Sequence, residues 1–205
     1  MHIEFLIEDY SGEEALNKFL PRCLTLEIEY QVRRFNGKQD LLKKLPDRLK
    51  GYKAWIPEDW LIVILVDRDN EDCHQLKQKL ENIAITAGFI TKSNNSCSFQ
   101  VLNRIMVEEL EAWFFGDIPA IIQAYPGVKP SLAQQEKYRD PDAIQGGTWE
   151  ALERVLQKAR YHQGGLDKPK AAREIAEYMT PETNRSKSFQ VFYDGLRTWQ
   201  NRSLD

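Results

Sequence analysis

Along the chain, short apolar runs alternate with helical stripes. Ile3 to Ile7 reads as a buried strand, closed by the polar turn Glu8-Asp9-Tyr10-Ser11-Gly12. Ser11 is placed to cap a helix with Glu14 at the capping-box position and Ala15, Leu16, Phe19 and Leu20 inward, until Pro21 stops it. Leu24 to Tyr30 alternates strictly and predicts a half-buried strand. After Asn36-Gly37, Leu41, Leu42, Leu45 and Leu49 mark a short helix that Pro46 should interrupt. Leu61 to Val66 is continuously apolar, as in a central parallel strand covered on both faces, and it ends in Asp67-Arg68-Asp69-Asn70. Leu76, Leu80 and Ile83 form a helical stripe closed by Gly88, and strands are expected at Phe89–Thr91 and Val101–Met106. A helix through Val107–Phe115 follows, with Glu108 and Glu111 sharing one face.

The last third changes character. Tyr125-Pro126-Gly127, Pro130, Asp140-Pro141 and Gly146-Gly147 punctuate a loop-rich stretch. Three helical stripes follow: Trp149/Leu152/Val155/Ala159, Ala172/Ile175/Ala176/Met179 and Phe189/Phe192/Leu196/Trp199. The pattern predicts an α/β domain with a mostly parallel sheet over residues 1–125 and a helical C-terminal extension packed on it over residues 126–205.

Composition narrows the functional classes. With 28 basic and 31 acidic side chains the net charge is −3, so binding of nucleic acid needs a local patch. No apolar run approaches the roughly 20 residues of a bilayer span. The start lacks the basic and apolar regions of a signal peptide, and three scattered cysteines read as reduced thiols. A cytoplasmic protein that meets no membrane is expected. Cys73-His74 lacks partners at zinc spacing, and the Gly-Gly pairs fit no phosphate-binding loop.

In open α/β sheets ligands bind beyond the carboxyl ends of the strands, and two acidic clusters fall there: Glu8 with Asp9, and Asp67 with Asp69. At i and i+2 of an extended segment, Asp67 and Asp69 should project to one side. Neighbouring carboxylates repel and stay ionised most easily around a divalent cation, and hard oxygen ligands without His or Cys favour Mg²⁺ or Mn²⁺. The competing reading makes these acids loop or helix-cap residues. Arg33, Arg34, Lys38, Lys43 and Lys44, continuing through Arg48 and Lys53 with Phe35, Tyr52 and Trp55 interleaved, suit a nucleic-acid track or, equally, a solvated helix face. Ser186 and Ser188 sit in no nucleophile elbow, and capping the last helix is their simpler role.

Phe5-Leu6-Ile7-Glu8 with Val63-Ile64-Leu65-Val66-Asp67-Arg68-Asp69 resembles the TOPRIM (Rossmann-like) fold of topoisomerases, primases and the overcoming-lysogenization-defect (OLD) nucleases. With Glu109-Leu110-Glu111-Ala112-Trp113-Phe114-Phe115-Gly116-Asp117, Lys168 and Ser186-Lys187-Ser188-Phe189, nearly the whole chain is similar to a prokaryotic TOPRIM-like family of unassigned function, often encoded beside an AAA or SMC-like ATPase. The Glu-Ala-Trp segment is the more specific motif. The resemblance implies a metal-dependent nuclease, an effector in phage defence or DNA repair. In that reading Glu8, Asp67 and Asp69 bind Mg²⁺ or Mn²⁺, Glu8, Glu111 and Lys168 are catalytic, and the partners are DNA or other nucleic acid, the ATPase, and in some assemblies a second copy. Asp9 stands where the family usually has glycine, which bears on the loop after the first strand. The alternatives are a non-catalytic TOPRIM-like module that binds nucleic acid or a partner, and a glycosyl- or nucleotidyl-transferase using Asp-x-Asp.

Overall fold

A computed structural model describes residues 1–202. The apolar run becomes β3 (Trp60–Asp67), flanked by β1 (His2–Ile7) and β4 (Val101–Met106), with β2 (Glu29–Arg34) beyond β1. The order is β2-β1-β3-β4 and every pairing is parallel, with Ile7 opposite Leu65 and Asp67 opposite Met106. Parallel neighbours require crossovers, and helices supply them: α1 (Tyr10–Phe19), α2 (Lys38–Lys53) and α3 (Cys73–Thr86). This is the TOPRIM-like α/β architecture that the sequence leads one to expect.

Side chains of β3 alternate between two cores. Leu61, Val63 and Leu65 face α1 and the later helices, while Ile62, Ile64 and Val66 face α2 and α3. The later helices are α4 (Glu111–Gly116), α5 (Ile118–Ala124), α6 (Thr148–Lys158), α7 (Lys168–Ala176) and α8 (Lys187–Asn201). The Phe189/Phe192/Leu196/Trp199 stripe of α8 is buried, and Ser186 caps the helix by accepting from the Phe189 N–H. α7 packs on α1. The three cysteines are free thiols, and burial pushes that of Cys23 up to about 12. Among the described residues no helix is long and apolar enough to cross a membrane.

Several local expectations give way to longer-range physics. Asp9, not Ser11, caps α1, its carboxylate accepting from the Gly12 N–H at 2.9 Å. The second strand starts only at Glu29: Leu24 and Ile28 pack on the core, but Leu26 between them is fully exposed, so the alternation does not make a strand face. α2 runs straight through Pro46. The missing backbone bond and ring clash cost about 3 kcal/mol, while burying Leu41, Leu42, Leu45, Leu49 and Tyr52 returns about 1.5–3 kcal/mol each. Phe89–Thr91 makes a single bridge, Thr91 to Val101, in place of a strand. The helix after β4 begins only at Glu111, because Glu108 sits at φ +62° and ends the extended run with a left-handed turn.

Candidate active site

The ends of β1, β3 and β4 lie side by side, and backbone hydrogen bonds lace the loops that leave them. The Arg68 N–H donates to Met106 O at 2.9 Å and that of Asp69 to Glu108 O at 3.1 Å. The Arg68 guanidinium pairs with the Glu108 carboxylate. On the other side, the Gly37 N–H donates to Glu8 O at 2.8 Å, fixing the start of α2 beside the end of β1. Gly37 stands at φ +87°, a conformation glycine adopts freely.

Glu8 and Asp67 meet directly. Glu8 Oε1 accepts the Asp67 N–H at 2.6 Å, joining the two strand ends. Glu8 is buried, and burial raises its pKa to about 7 against the partial relief given by that N–H and by Lys38. Asp67 is raised well above the usual carboxylate range, first by burial, then by the nearby charges of Glu8, Glu111, Asp9 and Asp69. Its Oδ1 is buried without a hydrogen-bond partner. Glu111, the first residue of α4, is 3% exposed, and burial lifts it to about 7 although the Lys168 ammonium stands 3.9 Å away.

Lys168 opens α7, whose N-cap is Asp167. Its Nζ lies 3.6 Å from Glu109 Oε1 and 4.9 Å from the centre of the Trp149 ring. Glu109 is anchored in turn, accepting from Thr148 Oγ1 at 3.0 Å and the Trp149 N–H at 3.2 Å. The start of α6 therefore holds the glutamate that holds the lysine. The Glu-Ala-Trp segment divides its work: Glu111 faces the acids, while Trp113 is buried against Phe189 and Phe192 and donates its indole N–H to Ser188 Oγ at 3.0 Å.

Asp69 sits differently from expectation. β3 ends at Asp67, and Asp69 takes φ +50°, so the two aspartates are not an extended i, i+2 pair. Asp69 Oδ2 lies 2.5 Å from Lys38 Nζ, which also meets Glu71 Oε1 at 3.0 Å and donates to Arg68 O at 3.2 Å. Lys38 is itself buried. Burial opposes its charge, but Asp69 and Glu71 prevail and its pKa rises. Lys38 thus serves as an internal counter-ion and not as part of an exposed basic track. The sequence clue was its place as first residue of the helix after Asn36-Gly37, which points it back at the strand ends. Arg33, Arg34, Lys43 and Lys44 are exposed. Arg33 pairs with Glu4 at 3.0 Å, Arg34 with Glu13 at 3.1 Å and Lys44 with Asp40 at 2.7 Å.

Among the described residues no group of three or more His, Cys, Asp or Glu side chains is gathered closely enough to cage a cation. Mg²⁺ does not require such a cage. It usually takes one or two carboxylates and completes its shell with water and substrate phosphate. The pair Glu8 and Asp67, hard oxygen donors with one buried oxygen unpartnered, fits that mode of binding.

Residues 7–197 match the model of a family described as domain of unknown function (DUF4276). Among solved structures, the chain is similar to the C-terminal region of the Xanthomonas campestris pv. campestris OLD protein, at 16% identity and a TM-score of 0.50 over 98% of this chain and 94% of that one. It is also similar to the C-terminal region of the Burkholderia pseudomallei OLD protein, at 15% identity and a TM-score of 0.47 over 96% and 98% of the two chains. At such identities the likeness is one of fold. No curated protein matches the sequence.

Proposed function

The chain belongs to the DUF4276 family, and from that premise and the site geometry we propose that it is a Mg²⁺- or Mn²⁺-dependent nuclease of TOPRIM type. One observation carries the reading: two buried acids, Glu8 and Glu111, and the half-buried Asp67, whose Oδ1 is enclosed without a partner, converge at the carboxyl ends of β1 and β3 and the start of α4 with too little positive charge to balance them. Burial of unpaired carboxylates is costly and is characteristic of sites that await a cation or a reacting group. Glu8 and Asp67 would hold the cation. A bound divalent ion supplies Lewis-acid stabilisation of phosphate oxygens and a more acidic water.

The chain's own residues do the rest. Glu111, titrating near 7, is placed to accept or release a proton at neutral pH. Lys168, poised by Glu109 and Trp149, offsets charge that develops on the phosphate. Asp69 is committed to Lys38, so we assign it to balancing charge in the loop after β3, outside the cation's own ligands. The substrate in this reading is nucleic acid, DNA foremost, approached over the exposed Arg33, Arg34, Lys43 and Lys44. The fold likeness to the C-terminal region of an OLD protein, with the family resemblance of the sequence, supports an AAA or SMC-like ATPase partner and a role in phage defence or DNA repair.

The test is cleavage of plasmid, single-stranded DNA and RNA with Mg²⁺ or Mn²⁺, with and without the partner ATPase. Asp67→Ala should lose more than the about 10–100-fold that removal of an outer-shell partner costs a metal site. Equal inertness of wild type and variant with the ATPase present would overturn the enzyme. The ion pair that engages Asp69 favours a second reading, a TOPRIM-like binding module without catalysis. Calorimetric titration of Mg²⁺ into wild type and Glu8→Gln separates the two, since only the nuclease needs a cation that Glu8 holds.

A further inference from the structure

We propose that the groove along the outer side of α2 binds single-stranded nucleic acid, with Trp55 as a base-stacking platform at the end remote from the acids. The inference rests on the nuclease reading for its purpose, and on separate residues for its chemistry. Two surface cavities of about 360 and 530 Å³ are both lined by Lys44 and Arg48 and so lie side by side along α2. One end is lined by Arg34 and Asn36, next to Gly37, whose N–H is bonded to Glu8 O. The other is lined by Gly51, Tyr52 and Trp55. The sixteen residues of α2 span about 24 Å at 1.5 Å each, room for a few nucleotides.

Charge and ring placement select the ligand. Five cations (Arg33, Arg34, Lys43, Lys44, Arg48) line the groove against three acids (Glu13, Asp40, Asp47), and Arg33 is already committed to the buried Glu4. Among the described residues Lys43 and Arg48 are in no ion pair. The pairs of Arg34 and Lys44 are exposed, worth about 0–1 kcal/mol, and readily traded for a phosphate. Trp55 is 60% exposed, although a large aromatic ring is ordinarily buried. Its orientation is nonetheless set: the ring meets Trp60 edge-on at 5.3 Å and Tyr52 at 5.9 Å, and Trp60 lies 4.0 Å from the His2 ring. An open indole beside unpaired cations suits an unpaired base and its phosphates. A duplex keeps its base faces stacked on one another and cannot offer one. A strand seated on Trp55 and running along Arg48 and Lys44 arrives at Arg34, beside the end of β1 that carries Glu8.

Fluorescence anisotropy in EDTA, with the full chain and labelled oligo-dT or oligo-U of about twelve nucleotides beside the matching duplex, tests this directly. The expected result is at least about tenfold preference for single strands, with Trp55→Ala weakening binding about 5- to 100-fold and Trp55→Phe retaining most of it. Arg48→Glu should weaken binding and flatten the salt dependence by about 0.7 in log–log slope for each phosphate no longer neutralised. The DNA and RNA arms decide which single strand is held. Wild-type affinity in both Trp55→Ala and Arg48→Glu, or equal affinity for duplex, would overturn the groove. Asp67→Ala should bind undiminished in the same assay. Trp55-dependent binding without any cleavage therefore refutes only the nuclease, and Asp67-dependent cleavage without Trp55-dependent binding refutes only the groove.

Discussion

Glu4 lies within β1 and Glu8 just beyond its carboxyl end; both are buried, and their surroundings could hardly differ more. Glu4 is fully provided for: Oε1 meets His2 Nε2 at 2.9 Å, and Oε2 accepts from Arg33 Nε at 3.0 Å and Tyr52 Oη at 2.9 Å. Burial alone would raise its pKa, but these partners prevail and lower it. Glu8 has one backbone N–H and acidic neighbours, and rises to about 7. The fold can therefore neutralise a buried glutamate on this strand when nothing else is asked of it. At the carboxyl end it withholds that neutralisation, which is where strand-end chemistry belongs in a parallel sheet.

The sharpest way to break the contrast is pH. Glu8 and Glu111 have folded-state pKa values raised from 4.5 to about 7, so their carboxyls bind protons more tightly folded than unfolded. Their stabilising contribution is complete below about 4.5 and is lost as pH rises through about 7, by at most about 3 kcal/mol each. Glu4, with its pKa lowered, contributes in the opposite sense: its share is present above 4.5 and lost as pH falls through its depressed value. Thermal melts of the cation-free protein should therefore fall between pH 5 and pH 8, and Glu8→Gln or Glu111→Gln should flatten that slope. A flat wild-type profile would sink the account of a strained acidic end.

A smaller effect separates the two glutamates directly. At pH 8, Glu4→Gln should cost about 1–2 kcal/mol, since a buried charge-assisted set is weakened, with the half-exposed Arg33 contributing little of it. Glu8→Gln should be neutral or stabilising under the same denaturant titration. The smallest change is expected from Lys168→Met. Its ammonium is one-third exposed, so stability should move by less than about 1 kcal/mol. Glu111 loses its one counter-charge, however, and the pH profile of the proposed cleavage should shift to the alkaline side.

Glu8 and Asp67 were legible in the sequence because strand ends are, while Glu111 was marked only by the resemblance that the Glu-Ala-Trp segment carries. A run such as Leu61–Val66 has one natural place in an α/β fold, and whatever follows it lands at the carboxyl edge. The helical stripe of α8 was equally plain, because a hydrophobic face that wide has to be buried. What escaped was set by interactions between distant segments. The place of Lys38 at the start of α2 turns it toward the strand ends but does not name Asp69 as its partner, and nothing in Leu24-Thr25-Leu26 reveals that Leu26 meets no core. The left-handed turns at Asp69 and Glu108 arise because the loops after β3 and β4 bond each other, which no window of either loop contains. Pro46 shows the converse, a strong local signal overruled by the leucines around it.

β2 forms one rim of the sheet, and of its six residues only Val32 is buried. Its companions Glu29, Gln31, Arg33 and Arg34 set charge or amide on both sides of a strand whose outer N–H and C=O groups have no β partner among the described residues. A foreign strand that docked there would have to bring these groups out of water, so the rim resists the edge-to-edge growth that leads to aggregates.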